Sequence, residues 1–312
     1  MTERPESPVL DNPGSDRVKS VRALSGRSAR RRTGTFLAEG PQAVREAVAA
    51  HAAGTTTTGE ATTTGEAAGV VRALYLTPQA AERHGTLVRT ALDHRIRTVR
   101  VTDRVLAAMA DTVTPQGMLA VCALRDVPLS AVLDGGPRLV AVLDRVRDPG
   151  NAGTVLRAAD AAGADAVVLT SSSVDVHNPK CVRSTAGSLF HLPVVTGIDL
   201  SRAVEALRGA GLRIHATSGA GDLDLDDLLD DPDAPGGLAG PTAWIFGNEA
   251  RGLGEADLAL ADDAVRVPVH GRAESLNLAT AATVCLYASA RSQRRGTGCR
   301  TGRAQNPHGA RP

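Results

Sequence analysis

Short apolar runs alternate with helix-like segments from residue 138 to residue 291, and this alternation restricts the fold more than any other feature of the chain. Residues 138–143, 166–169, 212–217, 242–246 and 264–269 read as strands. Residues 154–162, 180–188, 201–209 and 276–291 read as helices. Strands spaced this way need crossover helices, which predicts an α/β fold with a mostly parallel sheet and helices on both faces. Ligands of such sheets sit beyond the carboxyl ends of the strands. A smaller α/β unit is expected before it, with helices at 16–25 and 41–50 and strands at 35–38, 70–76, 98–101 and 118–124.

These readings divide the chain into a disordered start (1–15), a first domain (16–124), a linker (125–137), a second domain (138–291) and a basic tail (292–312). Within the first domain, 51–69 holds the hexapeptide TTTGEA twice in tandem and is expected to be a low-complexity surface loop. No apolar run is long enough to span a bilayer, and MTERPESPVLDNPGSDR lacks the order of a secretory signal, so the expected compartment is the cytoplasm. Cys122, Cys181, Cys285 and Cys299 are far apart without a C-x-x-C pair, which argues against a metal site or a disulfide framework.

The net charge of +1 conceals a segregated distribution. Between Arg17 and Phe36 lie Arg17, Lys19, Arg22, Arg27, Arg30, Arg31 and Arg32 with no acid among them, whereas Asp222, Asp224, Asp226, Asp227, Asp230, Asp231 and Asp233 pool elsewhere. A face of that kind suits a phosphate backbone. Arg22, Arg27, Arg30, Arg31 and Arg32 are its candidates, with Lys180 and Arg183 added from the helix in NPKCVRS.

Four segments carry residue types suited to chemistry. In LDRVRDPGNAG a strand meets a Gly/Pro turn before a helix, and free N–H groups there hold anions or polar ligands. Asn151 either caps that helix or meets a ligand, and Arg157 follows it by about one and a half turns. Lys180 and Arg183 share one helix face in the second segment. In WIFGNEARGL, Gly247 and Gly252 permit close backbone approach around Glu249, the one carboxylate of the turn. In HGRAESLNLAT, Ser275 and Asn277 flank Leu276, a pattern that fits either a helix cap or an adenine pocket.

The N-x-G-x-x-x-R of 151–157, the G-N-E-x-x-G of 247–252 and the S-L-N of 275–277 resemble, in order and spacing, the three motifs of the SpoU/TrmH family. That family comprises RNA ribose 2′-O-methyltransferases of the α/β-knot (SPOUT) superfamily. VKSVRALSGRSARRRTGTFLAEGPQAVREA in turn resembles the L30e-like substrate-binding domain that precedes the catalytic domain in several members. The resemblance implies a trefoil knot, which general topology rules would exclude. It implies S-adenosylmethionine as cofactor, held near Thr217, Ser218, Gly219, Gly247, Gly252, Val267, Pro268 and Leu276, and a homodimer. It assigns the catalytic roles to Asn151, Arg157, Glu249, Ser275 and Asn277. The expected substrate is structured RNA, with 23S ribosomal RNA favoured over transfer RNA. A nicotinamide enzyme fits poorly, because DPGNAG is not G-x-G-x-x-G. A non-catalytic RNA-binding protein fits poorly as well, because all five of those residues are present.

Overall fold

A computed structural model describes residues 9–57, 69–233 and 236–296. The first unit carries β1 (Thr35–Glu39), β2 (Val71–Leu76), β3 (Thr98–Arg100) and β4 (Met118–Ala123) in the order β1-β4-β2-β3. β4 is antiparallel to both β1 and β2, and β3 is parallel to β2. The second unit carries β5 (Leu139–Leu143), β6 (Ala166–Thr170), β7 (Val194–Ile198), β8 (Arg213–Thr217), β9 (Leu223–Asp224), β10 (Thr242–Phe246) and β11 (Asp263–Arg266). Their order is β7-β6-β5-β10-β8-β11-β9, and every pairing is parallel.

β5, β6 and β10 are buried along their whole length, which is why they read as unbroken apolar runs. Alternate residues feed opposite faces. Leu139, Ala141, Leu143, Trp244 and Phe246 enter one core cluster, and Val140, Val142, Ala243 and Ile245 enter another. The first cluster lies under the Pro149–Ala162 and Leu278–Gly296 helices. No helix among the described residues is long and apolar enough to cross a membrane.

That first cluster does not stop at the edge of the second unit. It continues into Phe36, Ala38, Val44, Val48, Leu74 and Met118, so the two sheets share one core. Phe36 is fully buried, with its ring centroid 6.0 Å from that of Phe190 and 4.7 Å from that of His177. Polar clasps surround this contact. Arg30 pairs with Asp175 at 2.7 Å, Arg183 with Glu39 at 2.8 Å, and His191 bridges Asp160 and Glu46 at 2.7 and 3.2 Å.

Several expected boundaries move. Residues 125–137 are not a bare connector: Leu129–Asp134 is a helix that buries Leu129 and Val132 in the second core cluster. Of the expected disordered start, Leu10 bridges Val101 in parallel, and the side chain of Ser15 caps the Asp16–Arg22 helix. The Pro41–Thr57 helix runs into the expected loop, while 58–68 lies outside the described residues. The Leu278–Gly296 helix runs past residue 291 and buries Ser292 and Gln293; residues 297–312 of the expected tail are outside the described residues. Arg27–Thr33, β7 and β9 are elements that periodicity did not reveal.

The His191 clasp has a pH signature. Burial pushes its imidazole down, but the hydrogen bonds to Asp160 and Glu46 outweigh it and hold the pKa above the ordinary value. A raised pKa means the clasp stabilises fully below about pH 6.5 and fades as pH rises through the folded value. His191→Ala is therefore expected to cost more stability at pH 6 than at pH 8.5. The difference should be at most about 1 kcal/mol, because the pair is partly exposed. Equal losses in chemical denaturation at both pH values would remove the clasp's electrostatic role.

Candidate functional site

A cavity of about 840 Å³ opens where β8, β10 and β11 end, and its lining includes Thr217, Ser218, Gly219, Gly247, Gly252 and Leu276. Val267 and Pro268 complete the wall, so all eight residues expected to hold the cofactor line one space. Its volume lies within the range of small-molecule pockets.

Backbone geometry builds the wall. After β8, the amide of Ser218 donates to Val265 and ties this loop to β11, and the Thr217 hydroxyl donates to the carbonyl of Ile245 in β10. After β10, Asn248 and Gly252 bridge each other, and a Cβ on Gly247 would lie 2.5 Å from the Gly252 carbonyl carbon. Only glycine permits that approach. The Asn248 side chain accepts from Ala250 and Arg251 and donates to the carbonyl of Arg145 at 2.9 Å. Arg145 has a positive φ of 53° and ion pairs to Asp144 and Asp257, so it fastens the end of β5 to the segment after the loop.

A polar cluster adjoins the cavity. The Glu249 carboxylate accepts from the amides of Arg147 and Asp148 at 3.2 and 3.1 Å and from the Asn151 side chain at 3.3 Å. Asn277 donates to the Asn151 oxygen at 3.3 Å, while its own oxygen accepts from Ala279 and starts the last helix. Thus Asn151, Glu249 and Asn277, from three separate motifs, form one hydrogen-bonded set. Burial pushes the Glu249 carboxyl up, but hydrogen bonds from its own amide, Asp148, Arg147 and Asn151 hold it below the usual carboxylate range. It is ionised at neutral pH and acts only as an acceptor.

Two expected members stand apart from that set. Ser275 lines the cavity. Arg157 is exposed on the Pro149–Ala162 helix, and its side chain has no hydrogen bond or ion pair with any described residue.

Asn151 is not the cap of that helix, as one reading allowed. Asp148 is the cap, accepting from the Asn151 amide, and Pro149 occupies the first turn. Lys180 holds Asp148 at 2.7 Å and lowers its carboxyl pKa. Sequence reasoning missed Asp148, Asn248 and Arg145. For Asp148 the signal was available, since Asp before Pro is a helix-start signature. For Asn248 and Arg145 it was not, because their roles depend on contacts between distant segments.

The basic face is smaller than the sequence implied. Arg30 is 2% exposed, and its guanidinium binds Asp175 and the carbonyls of Leu24 and Ser25, so it offers nothing to a phosphate. Arg183 does not line the cofactor cavity, and Glu39 and Asp111 engage its guanidinium on one side. Arg22 donates to the carbonyl of Ala110 and Arg27 lies 4.0 Å from Asp175. Arg31 and Arg32 are exposed beside Arg27 on the Arg27–Thr33 helix.

Comparison with known proteins agrees with these features. The SpoU rRNA Methylase family profile matches residues 138–287, and that of the MRM3-like substrate binding domain matches 15–120. The chain is 31% identical to the 23S rRNA (guanosine(2553)-2′-O)-methyltransferase RlmP of Bacillus subtilis, over 89% of this chain and 97% of that protein. An AdoMet-bound rRNA methyltransferase from Sinorhizobium meliloti superposes with a TM-score of 0.73 at 28% identity, covering 91% of this chain and 97% of that one. The SpoU methyltransferase AviRb of Streptomyces viridochromogenes, in complex with AdoMet, gives a TM-score of 0.70 at 31% identity, covering 90% of this chain and 100% of the other.

Proposed function

The chain belongs to the SpoU rRNA methylase family, and from that premise we propose that it methylates one ribose 2′-hydroxyl in 23S ribosomal RNA. It is an RNA 2′-O-methyltransferase that uses S-adenosylmethionine. The observation carrying the reading is the junction of an 840 Å³ cavity, walled by three strand-end loops, with the Asn151–Glu249–Asn277 set. When bound, the cofactor supplies an electrophilic methyl group.

The chain's own residues then have distinct tasks. The strand-end loops hold the cofactor through backbone groups, with Gly247 and Gly252 keeping the wall clear of side chains. A ribose hydroxyl ionises far above neutral pH, so the site must stabilise developing negative charge. Arg157 does this as a cation rather than as a base, since guanidinium does not release its proton in proteins. Its side-chain donors are not engaged by any described residue, so they are available to the oxyanion or the neighbouring phosphate. Asn151, held between Glu249 and Asn277, fixes the ribose edge, and Ser275 and Asn277 hold the cofactor loop against it.

The proposal extends to a trefoil knot, supported by the last helix packing back across β5 and β10 onto the Pro149–Ala162 helix. It extends to the cytoplasm, where a ribosomal RNA substrate would be met, and to a homodimer, supported by the exposed apolar side chains of Val284 and Tyr287 on that helix. Arg27, Arg31 and Arg32 form the remaining phosphate face.

Two measurements test the reading. Calorimetric titration is expected to show binding of S-adenosylmethionine and little or none of NAD. Incubating a 23S ribosomal RNA transcript with protein and cofactor, then mapping 2′-O-methylation, is expected to reveal one modified nucleotide. Methylation of a transfer RNA transcript alone would move the substrate, and preference for NAD would overturn the reading.

A further inference from the structure

RNA-binding surfaces commonly stack unpaired bases on aromatic rings. This chain has almost none to offer. Of its six aromatic residues, Phe36, Tyr75, Phe190, Trp244 and Phe246 are buried, and Tyr287 alone is exposed. Guanidinium planes and exposed histidine rings such as that of His270 are the remaining platforms for a base.

One guanidinium, that of Arg183, is held in place at the edge of a cavity. A second cavity, of about 360 Å³, lies where the first unit meets the Pro179–Ser184 helix. Leu106 and Met118 give it an apolar lining, while Gln42, Thr112, Thr114 and Gln116 supply polar groups. Arg183 also lines it, one-third exposed. Its Nη1 donates to Glu39 at 2.8 Å and both Nη atoms lie 3.2 Å from one Asp111 oxygen, so three of its five in-plane N–H groups are already used. Beside its two remaining N–H groups, Arg183 offers a planar face. Two carboxylates beside one cation leave the spot with a net negative charge, which repels phosphate and tolerates a neutral ring. Val113 stands 98% exposed in the adjoining loop, an apolar side chain that an inserted base would cover.

We propose that this cavity receives one unpaired base of the RNA substrate. The base stacks on Arg183, and Gln42, Thr112, Thr114 and Gln116 bond its edge. The proposal rests on the reading of the chain as an RNA methyltransferase and adds where that RNA is recognised. The same short helix carries Lys180, bound to Asp148 beside the Glu249 set, about 4.5 Å of axial rise from Arg183. The base held there is therefore a near neighbour of the methylated nucleotide.

The test uses the full chain, a 23S ribosomal RNA transcript and filter-binding across a salt series. Arg183→Lys keeps the charge and removes the plane, and Gln116→Ala trims an exposed side chain without touching the core. Arg183→Lys is expected to weaken RNA binding by on the order of tenfold. Its salt slope should stay unchanged, because the number of cations is unchanged. Gln116→Ala should weaken binding severalfold, and both variants should bind S-adenosylmethionine as the parent does. A transcript carrying 4-thiouridine should cross-link within residues 111–117. If both variants bind and methylate the transcript like the parent, the base pocket is wrong and the methyltransferase reading stands. If Arg183→Lys also loses cofactor affinity, Arg183 is structural and the pocket falls. A parent protein that neither binds nor methylates the transcript overturns both readings together.

Discussion

Replacing Arg157 with alanine is expected to lower kcat by on the order of 10²–10³-fold, while affinity for S-adenosylmethionine stays within about twofold of the parent. The side chain is exposed and has no partner among the described residues, so its removal leaves the core and the cavity wall intact. Its proposed work begins only when charge develops on the ribose oxygen, and an interaction made in the transition state alone appears in kcat rather than in ligand binding. Lysine restores the charge without the planar fork, so Arg157→Lys should recover part of the loss. Single-turnover methylation of the RNA transcript, alongside calorimetric titration of the cofactor, separates the two effects. Near-normal turnover in Arg157→Ala would remove Arg157 from the chemistry.

The second large effect is on stability. Phe36→Ala is expected to cost about 3–5 kcal/mol, because a fully buried ring is deleted where neighbours from two sheets cannot close the gap. That is a large share of the stability of an ordinary domain. Trp244, the one tryptophan, lies in β10 with its Nε1 bonded to Ser289 at 2.8 Å, so its fluorescence reports the second unit. Phe36 belongs to the first unit, in β1. A shared core predicts that the Trp244 transition moves to markedly lower urea in Phe36→Ala. A Trp244 transition that stays in place would show two units folding independently.

The parallel sheet was legible because strands buried on both faces become uninterrupted apolar runs; residues 242–246 mark β10 without adjustment. β7 was not, since Gly197 interrupts it and only its first two residues are buried. The start of the helix at Pro149 was masked by Gly150, Asn151 and Gly153, poor helix formers that the Asp148 cap overrides. Charge patterning placed Arg30 on a binding face, yet what decides its position is Asp175, 145 residues away and invisible to any local window. The helix within 125–137 was not legible for a related reason. Leu129 and Val132 are ordinary loop-flanking apolar residues until the second core cluster exists to receive them. Within the site, the eight cavity residues were legible through the family resemblance, while the bonds joining Asn151 to Glu249 and Asn277 link segments about a hundred residues apart and belong to the fold alone.

The core that runs from Phe36 to Phe190 gives the molecule the character of a caliper. One jaw is the surface of the first unit and the other is the cavity at the ends of β8, β10 and β11, and the span between them is set by packed side chains rather than by a tether. Packed interiors yield little to strain. On the proposed function, the enzyme selects its nucleotide by distance from a gripped feature of the RNA. An added or missing nucleotide between the two points would then shift the modified position along the strand, because the protein has no slack with which to follow it.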